Sequence, residues 1–422
     1  MSMQISLRFI YLLGIFIMLS PTTLVYEIIG LDEEIAGKLS NIIFVVYVLY
    51  SFSYQNLIED RFLKWLYYVL LVALALLSLE SYMRYSSFFR YPHVFSKLTD
   101  LFAIYFIYLF YKKYGKIGLK DVAYLVFILF LINIFLINRD YLNFRSFAAH
   151  ERGIPATVVY LLLIPCLYFF NAYLTKEKYL DLFLFLVVLG FIIFFQHRTI
   201  WVVTTVLLAL NIFFFSKTGK RMNFRLALPF FTVIFVFFIM AYMIVAPNEK
   251  VMAQIKRNIE DIRNPTKQGT AGWRFVQYVS YWPYVVDHIA LGMRFEGFEL
   301  PIQFYDEDLD QPVFEEGHGH HFHSFYLDKL FYFGVAGLLF VMSPVIYLLF
   351  KALRRKKLNA EELALAIFAF SGFIYALSYD WPGFFFGLTG FAFYALEKKP
   401  EDESQAEPET ADEEKELAEA EA

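Results

Sequence analysis

Residues 179–215 read YLDLFLFLVVLGFIIFFQHRTIWVVTTVLLALNIFFF. After Asp181 the only residues of this stretch able to carry charge near neutral pH are His197 and Arg198, at its middle. Each flank is a nearly uncharged apolar run of the ~18 residues that a helix needs to cross a bilayer. Gln196-His197-Arg198 therefore reads as a tight turn between two membrane spans. Outward from this hairpin the same signature recurs, giving runs at 8–28, 39–58, 62–80, 94–111, 121–137, 155–174, 179–195, 199–215, 226–246, 323–350, 360–379 and 382–396, about twelve spans. The first is expected to bend or end near Pro21, while Pro155 and Pro382 open the sixth and twelfth, where a missing N–H does no harm. That first run lacks the strongly basic start and small-residue cleavage site of a secretory leader, and is expected to be retained.

Composition agrees with a bilayer as solvent. The chain of 422 residues is 59% hydrophobic, 21% aromatic and only 18% charged, with a mean hydropathy of +0.50, which excludes an ordinary soluble domain. Its single cysteine, Cys166, sits in an apolar run and excludes a disulfide framework, a cysteine-rich zinc site and an iron–sulfur cluster. The formal charge of −4 is unevenly spread: residues 400–422 hold eleven acidic residues against Lys415, which leaves the rest of the chain at +6. Alternate loops carry twenty Lys/Arg on one side and seven on the other, the long segment near 247–322 left aside, so both termini are expected in the cytoplasm and the long segment outside. The expected fold class is all-α, a polytopic integral membrane protein with a large outer segment between helices 9 and 10. Its expected division is 1–246 (helices 1–9), 247–322 (outer loop with amphipathic helices), 323–399 (helices 10–12) and 400–422 (an acidic, disordered cytoplasmic tail).

An ionisable side chain at the centre of a span costs roughly 2.5–3.5 kcal/mol on insertion scales, and few occur here. Lys97 and Asp100, at i and i+3, are able to pair with each other; Asp181 and Asp328-Lys329 lie towards span ends. The midplane carboxylates and matched broken helices of an ion-coupled transporter are not evident. Polar residues gather instead on the outer face, at 138–154, His197-Arg198, 247–322 and Asp380. Arg198 beside Trp201 reads either as a functional cation or as a snorkelling anchor. Arg274, in Gly272-Trp273-Arg274-Phe275, opens a run with aromatics every three or four residues up to Trp282, which suits an amphipathic helix lying in the outer interface. Its bland reading is an anchor with an exposed arginine. Gly317-His318-Gly319-His320-His321-Phe322-His323-Ser324 crowds four of the eight histidines before a span. No zincin pattern accompanies them, and imidazole at the mouth of a span suits proton transfer better than metal binding, because its reference pKa near 6.5 leaves neutral base populated.

His323-Ser324, nine residues, then Gly334-Val335-Ala336-Gly337 resembles, in full register, the H-[NSQ]-x9-G-x-x-G signature of the O-antigen ligases. Arg198-Thr199-Ile200-Trp201 is similar to the Arg-Thr-x-Trp type segment that this family places at the outer start of a mid-chain helix. Arg274, Trp282 and Leu291-Gly292 resemble, less closely, the family's loop arginine, tryptophan and Pro-Leu-Gly-like turn. Phe295-Glu296-Gly297-Phe298 departs from the small residues usual after that turn. The resemblance covers about residues 140–345.

It implies transfer of a glycan from undecaprenyl diphosphate to the core oligosaccharide of lipid A, on the periplasmic leaflet of a bacterial inner membrane, without metal, nucleotide or other cofactor. His323 would be the general base, and Arg198 and Arg274 the clamp on the leaving diphosphate. Arg145 and Arg152 could hold donor phosphate or the phosphorylated core, or merely lipid headgroups. His321, Asp380 or Asp287 could orient the imidazole, and Tyr326 completes the candidate substrate-binding set. Membrane lipids are expected partners and nucleic acid is not; a monomer is the default expectation. Rival functions are an O-antigen or capsule polymerase, a protein O-glycosyltransferase with the same donor, and, from a different class, a non-enzymatic flippase whose cationic vestibule attracts anionic lipids.

Overall fold

A computed structural model of the protein describes residues 7–397 except 116, 150–152, 221–223, 264–268, 301–304, 307–310 and 313–321. Every run expected to span is helical. α1 (Leu7–Leu19) and α2 (Thr23–Ile29) meet at Pro21 with their axes turned by 103°. α3 (Glu33–Tyr54) and α4 (Arg61–Tyr85) follow, then α5 (Pro92–Thr99) and α6 (Leu101–Tyr114), one run bent by 41° at Asp100. α7 (Leu119–Ile132) continues into a π turn at Asn133–Ile137, and α8 (Phe144–Ala149) is a short helix. α9 (Ala156–Leu161), α10 (Leu163–Lys176), α11 (Tyr179–Phe194), α12 (Arg198–Phe214) and α13 (Phe224–Val245) lead to the outer segment. That segment holds α14 (Glu249–Arg263), α15 (Gly269–Asp287), α16 (Phe295–Glu299) and a two-residue antiparallel ladder of β1 (Tyr305–Asp306) with β2 (Gln311–Pro312). α17 (Phe325–Arg354), α18 (Ala360–Tyr375) and α19 (Gly383–Glu397) complete the fold.

Among the described residues six helices are singly long and apolar enough to cross a membrane, and eight if each bent pair counts as one span; α11 and α19 are shorter apolar helices. The chain is a polytopic, all-α membrane protein. Leu49, Phe52, Trp65, Val72 and Leu76 stand exposed along α3 and α4, a surface that water would not tolerate and lipid does. At the centre lie α6, buried continuously from Leu101 to Tyr111, and α10, buried from Leu163 to Leu174. α6 packs mainly against α19, α3 and α1, and α10 against α11, α18 and α7. One end of the bundle is tied by ions. Asp60 caps α4 at the amides of Phe62 and Leu63 and also accepts from Lys351, 3.0 Å away, and Tyr347. Lys112 reaches Glu397, and Arg355 reaches Glu362 at 2.7 Å. These are the lysine- and arginine-rich loops.

The opposite end carries the segment between α13 and α17, and its attachment depends on a glycine. α17 is two helices joined at Gly334, whose φ of 62° and ψ of −164° lie where only glycine rests easily. The break frees backbone groups, and the strip Ile289–Arg294 takes them up. Val335 N donates to Ile289 O (2.8 Å) and Ala336 N to Ala290 O (3.1 Å), while Met293 N and Arg294 N donate to Phe331 O and Tyr332 O (2.9 Å each). Contact is so close that a Cβ on Gly334 would lie 2.5 Å from the Ala290 carbonyl carbon, and one on Gly292 2.3 Å from Phe333 N. Non-helical backbone in a span is tolerated only when satisfied by protein in this way. Beyond the strip, Arg294 Nε donates to Glu80 (2.7 Å), Arg84 to Glu296 (2.6 Å) and Tyr91 OH to Glu299 (2.9 Å), which fixes α16 to the end of α4.

The expected pairing of Lys97 with Asp100 does not form. Lys97 is buried and bonds Asp328 of α17 instead, with the Tyr332 ring 4.3 Å from its ammonium. Asp100 sits at the α5–α6 bend and lines a cavity.

Candidate active site

α17 begins two residues after His323. Ser324 is its N-cap residue: the Asp328 amide donates to the Ser324 carbonyl (3.0 Å), and the Ser324 hydroxyl donates to Ala376 O (3.1 Å) at the end of α18. With that hydrogen committed, the 2.6 Å contact between Ser324 Oγ and Tyr278 OH has Tyr278 as donor. Burial raises the Tyr278 hydroxyl above its ordinary value, so it remains a neutral donor. Tyr278 lies one helical turn beyond Arg274 on α15, so this bond places the Arg274 turn against the His323-Ser324 step. The Phe325 amide donates to Tyr379 O at 3.4 Å, the Phe325 ring stacks on Trp381 at 4.1 Å, and the Arg274 guanidinium carbon lies 4.7 Å from the centroid of the Tyr379 ring. Arg274 and half-buried His323 thus belong to elements, α15 and the start of α17, that join at the α18–α19 connection.

Arg274 has no hydrogen bond or ion pair among the described residues, and its Nε is shielded from solvent without an acceptor. Its ring partner Tyr379 stacks on Tyr375 (4.9 Å), and Tyr375 on Tyr160 (3.9 Å), a ladder running into the bundle. The Tyr375 hydroxyl is likewise buried with no partner. A guanidinium spread over an aromatic face with donors unspent is poised for an anionic oxygen.

Arg198 is the first residue of α12, at the same end of the bundle. The antiparallel packing of α12 on α18 fixes this: Asn211 near the end of α12 bonds Asn171, which bonds the Ala360 carbonyl at the start of α18, so the start of α12 lies with the end of α18. The turn before Arg198 is locked. Gln196 takes a left-handed φ of 56°, its Nε2 donates to Phe147 O, and its Oε1 accepts from Asn258 of α14, both at 2.8 Å. Buried His197 lies 2.8 Å from Ile154 O. An arginine on the positive end of a helix opposes the usual dipole rule, and the combination favours an anion there. Arg145 stands exposed on α8, the element that Gln196 holds. Arg152 and His321, with His318 and His320, lie outside the described residues.

Behind the α17 start, buried Asp328 binds both Lys97 and Lys329 (3.0 Å), and Lys329 lies 3.6 Å from Asp380. Asp380 therefore faces this ion cluster, and its Oδ1 also accepts the Trp381 amide. Tyr326 donates to Phe373 O at 2.9 Å, a bond that joins α17 to α18. On α15, Phe275, Val279, Trp282 and Val286 are exposed while Gln277, Tyr281 and Val285 are buried, the two faces expected of an interfacial helix.

Residues 182–342, from α11 to α17, match the family model of the O-antigen ligases. Over this segment the chain is similar to the O-antigen ligases. The segment holds Arg198, Arg274, His323 and Gly334, while Arg145 and Asp380 flank it. No curated protein matches the chain. The glycine signature of the segment now has a physical meaning: Gly334 is the break into which the Leu291-Gly292 turn docks. Tyr278, Ser324 and Tyr379 were not singled out from the sequence as site residues. Tyr278, at i+4 from Arg274, and Tyr379, next to Asp380, carried the available signal. Among the described residues no group of three or more histidine, cysteine or carboxylate side chains is placed to hold a metal ion.

Proposed function

We propose that this protein is a glycosyltransferase of the O-antigen ligase type, moving a glycan from undecaprenyl diphosphate to the core oligosaccharide of lipid A at the periplasmic face of a bacterial inner membrane. Both termini lie in the cytoplasm on this reading. Residues 1–246 hold membrane spans 1–9, 247–322 the periplasmic loop, 323–399 spans 10–12 and 400–422 a cytoplasmic tail. The observation that carries the proposal is the Arg274 guanidinium on the Tyr379 ring with its donors unspent among the described residues, on the helix that the Tyr278–Ser324 bond ties to the start of α17.

In the proposed reaction the acceptor hydroxyl oxygen attacks the anomeric carbon of the donor as the bond from that carbon to the diphosphate oxygen breaks. The hydroxyl proton passes to the neutral imidazole of His323, and undecaprenyl diphosphate leaves with the electron pair. One displacement inverts the anomeric centre. Arg274 and Arg198 bind the diphosphate, whose charge grows as the bond breaks, so their stabilisation is greater in the transition state than before it. Arg145 and Arg152 assist with phosphate, His321 or Asp380 with imidazole orientation, and Tyr326 with the acceptor.

Purified protein reconstituted with lipid-linked glycan and rough lipopolysaccharide should yield a ligated ladder on lipid A, and His323→Ala should abolish it while donor binding persists. Elongated lipid-linked chains with no lipid A product would assign a polymerase instead. Normal turnover by the His323→Ala protein would remove the general base.

A further inference from the structure

A separate cavity of about 290 Å³ opens where α1 bends into α2, walled by α3, the α5–α6 bend and the starts of α9 and α19. Its polar lining residues are Thr22, Thr23, Ser40, Tyr47, Thr99, Thr157 and Asp100, and Phe44 and Phe384 supply apolar faces. Asp100 interrupts the apolar run of α5 and α6, is exposed to the cavity and makes no side-chain hydrogen bond or ion pair among the described residues. Lys329 and Lys97 act on it through space, but their direct contacts go to Asp328 and, for Lys329, also to Asp380. An ionisable group in a span with no cation in direct contact marks a binding function. No histidine or second carboxylate lines the cavity with it, so a metal ion is poorly matched. A carboxylate acceptor, several hydroxyls and two ring faces are the chemistry that holds an uncharged, hydroxyl-rich ring.

We propose that this cavity binds a sugar residue of the acceptor glycan, with Asp100 accepting hydrogen bonds from its hydroxyls. Position selects the acceptor. The α18–α19 connection runs from Tyr379, which carries Arg274, through Asp380 to Pro382 and Gly383, which line the cavity. A donor diphosphate at Arg274 and a sugar at Asp100 thus lie at the two ends of one short strip. The choice of acceptor over donor rests on the proposed function; the carboxylate-and-hydroxyl lining does not.

The test uses full-length protein in nanodiscs and, as probe, the free core oligosaccharide released from rough lipopolysaccharide by mild acid, with no donor present. Calorimetric titration should show binding to wild type, weakened at least tenfold by Asp100→Asn and by Ser40→Trp, which fills the cavity. In the transfer assay the same variants should raise the acceptor KM about tenfold and leave the donor KM unchanged. Folding of each variant is checked by gel filtration and melting, and Thr157→Val stands in for either that fails. Binding that depends on Asp100 in a protein without transfer activity would support this site and remove the proposed function. Transfer with unaltered acceptor KM and unaltered probe binding in the variants, or no probe binding by wild type, would overturn the site.

Discussion

Gly334→Ala is the most searching perturbation of this architecture. At φ 62° and ψ −164°, a residue with a Cβ suffers backbone strain of about 1–3 kcal/mol. The added methyl would also sit 2.5 Å from the Ala290 carbonyl carbon and 2.6 Å from the Ala290 and Ile289 oxygens, too near for either side to remain. Relief requires the strip Ile289–Arg294 to withdraw, and the four backbone bonds it makes to α17 are then at risk. Losing two of them removes about 2 kcal/mol more at the usual net value near 1 kcal/mol each, for a total of about 3–5 kcal/mol. Thermal unfolding in one detergent should show a melting point lowered by several degrees. Transfer should fall too, because the same strip leads into α15 and Arg274. Gly37→Ala is the control: that glycine lies inside α3 with nothing within 4 Å of the added carbon, and the substitution should be neutral or stabilise by about 0.5–1 kcal/mol. A Gly334→Ala protein with wild-type melting and turnover would refute the account of the break.

Arg274→Lys keeps the charge but loses the planar fork and much of the contact with Tyr379, and should lower turnover about tenfold or more, equivalent to at least ~1.4 kcal/mol; equal kinetics would show that a point charge suffices. Lys97→Met strands part of the Asp328 charge in a buried site and should destabilise by about 3 kcal/mol. Adding Asp328→Leu to it should cost less than the two single losses combined, as read from melting of all three proteins. Glu296 is held below the ordinary glutamate range, first by its hydrogen bond from Arg84. Its folded pKa is depressed, so the stabilisation is present above the ordinary value near 4.3 and is lost as pH falls through the lower folded value. Acid melts of wild type should show this loss and those of Arg84→Met should not; parallel curves would sever the link.

The spans were legible because apolar length needs no tertiary information, and Pro21 announced its bend. What escaped the sequence depends on partners far along the chain. Lys97 and Asp100 stand within one helical turn, yet the bonding partner of Lys97 is 231 residues away, and no local pattern reports that. The break in α17 was hidden for the same reason. Glycine is common in membrane helices, and only the distant Ile289–Arg294 strip shows that Gly334 interrupts one. At the candidate site, His323, Arg198 and Arg274 stood out as charge or imidazole at the mouths of apolar runs. Tyr278 and Tyr379 were submerged in an aromatic-rich background, where any one tyrosine looks like a belt residue.

The docking of Ile289–Arg294 into α17 uses peptide groups on both sides. Main-chain recognition is blind to side-chain identity, so this join can persist while the letters around it drift, provided that Gly292 and Gly334 stay bare enough for two backbones to touch. The poor agreement of Leu291-Gly292 and its neighbours with the expected turn is then no sign of a weakened joint: the attachment is written in shape, and only its two glycines are spelled out.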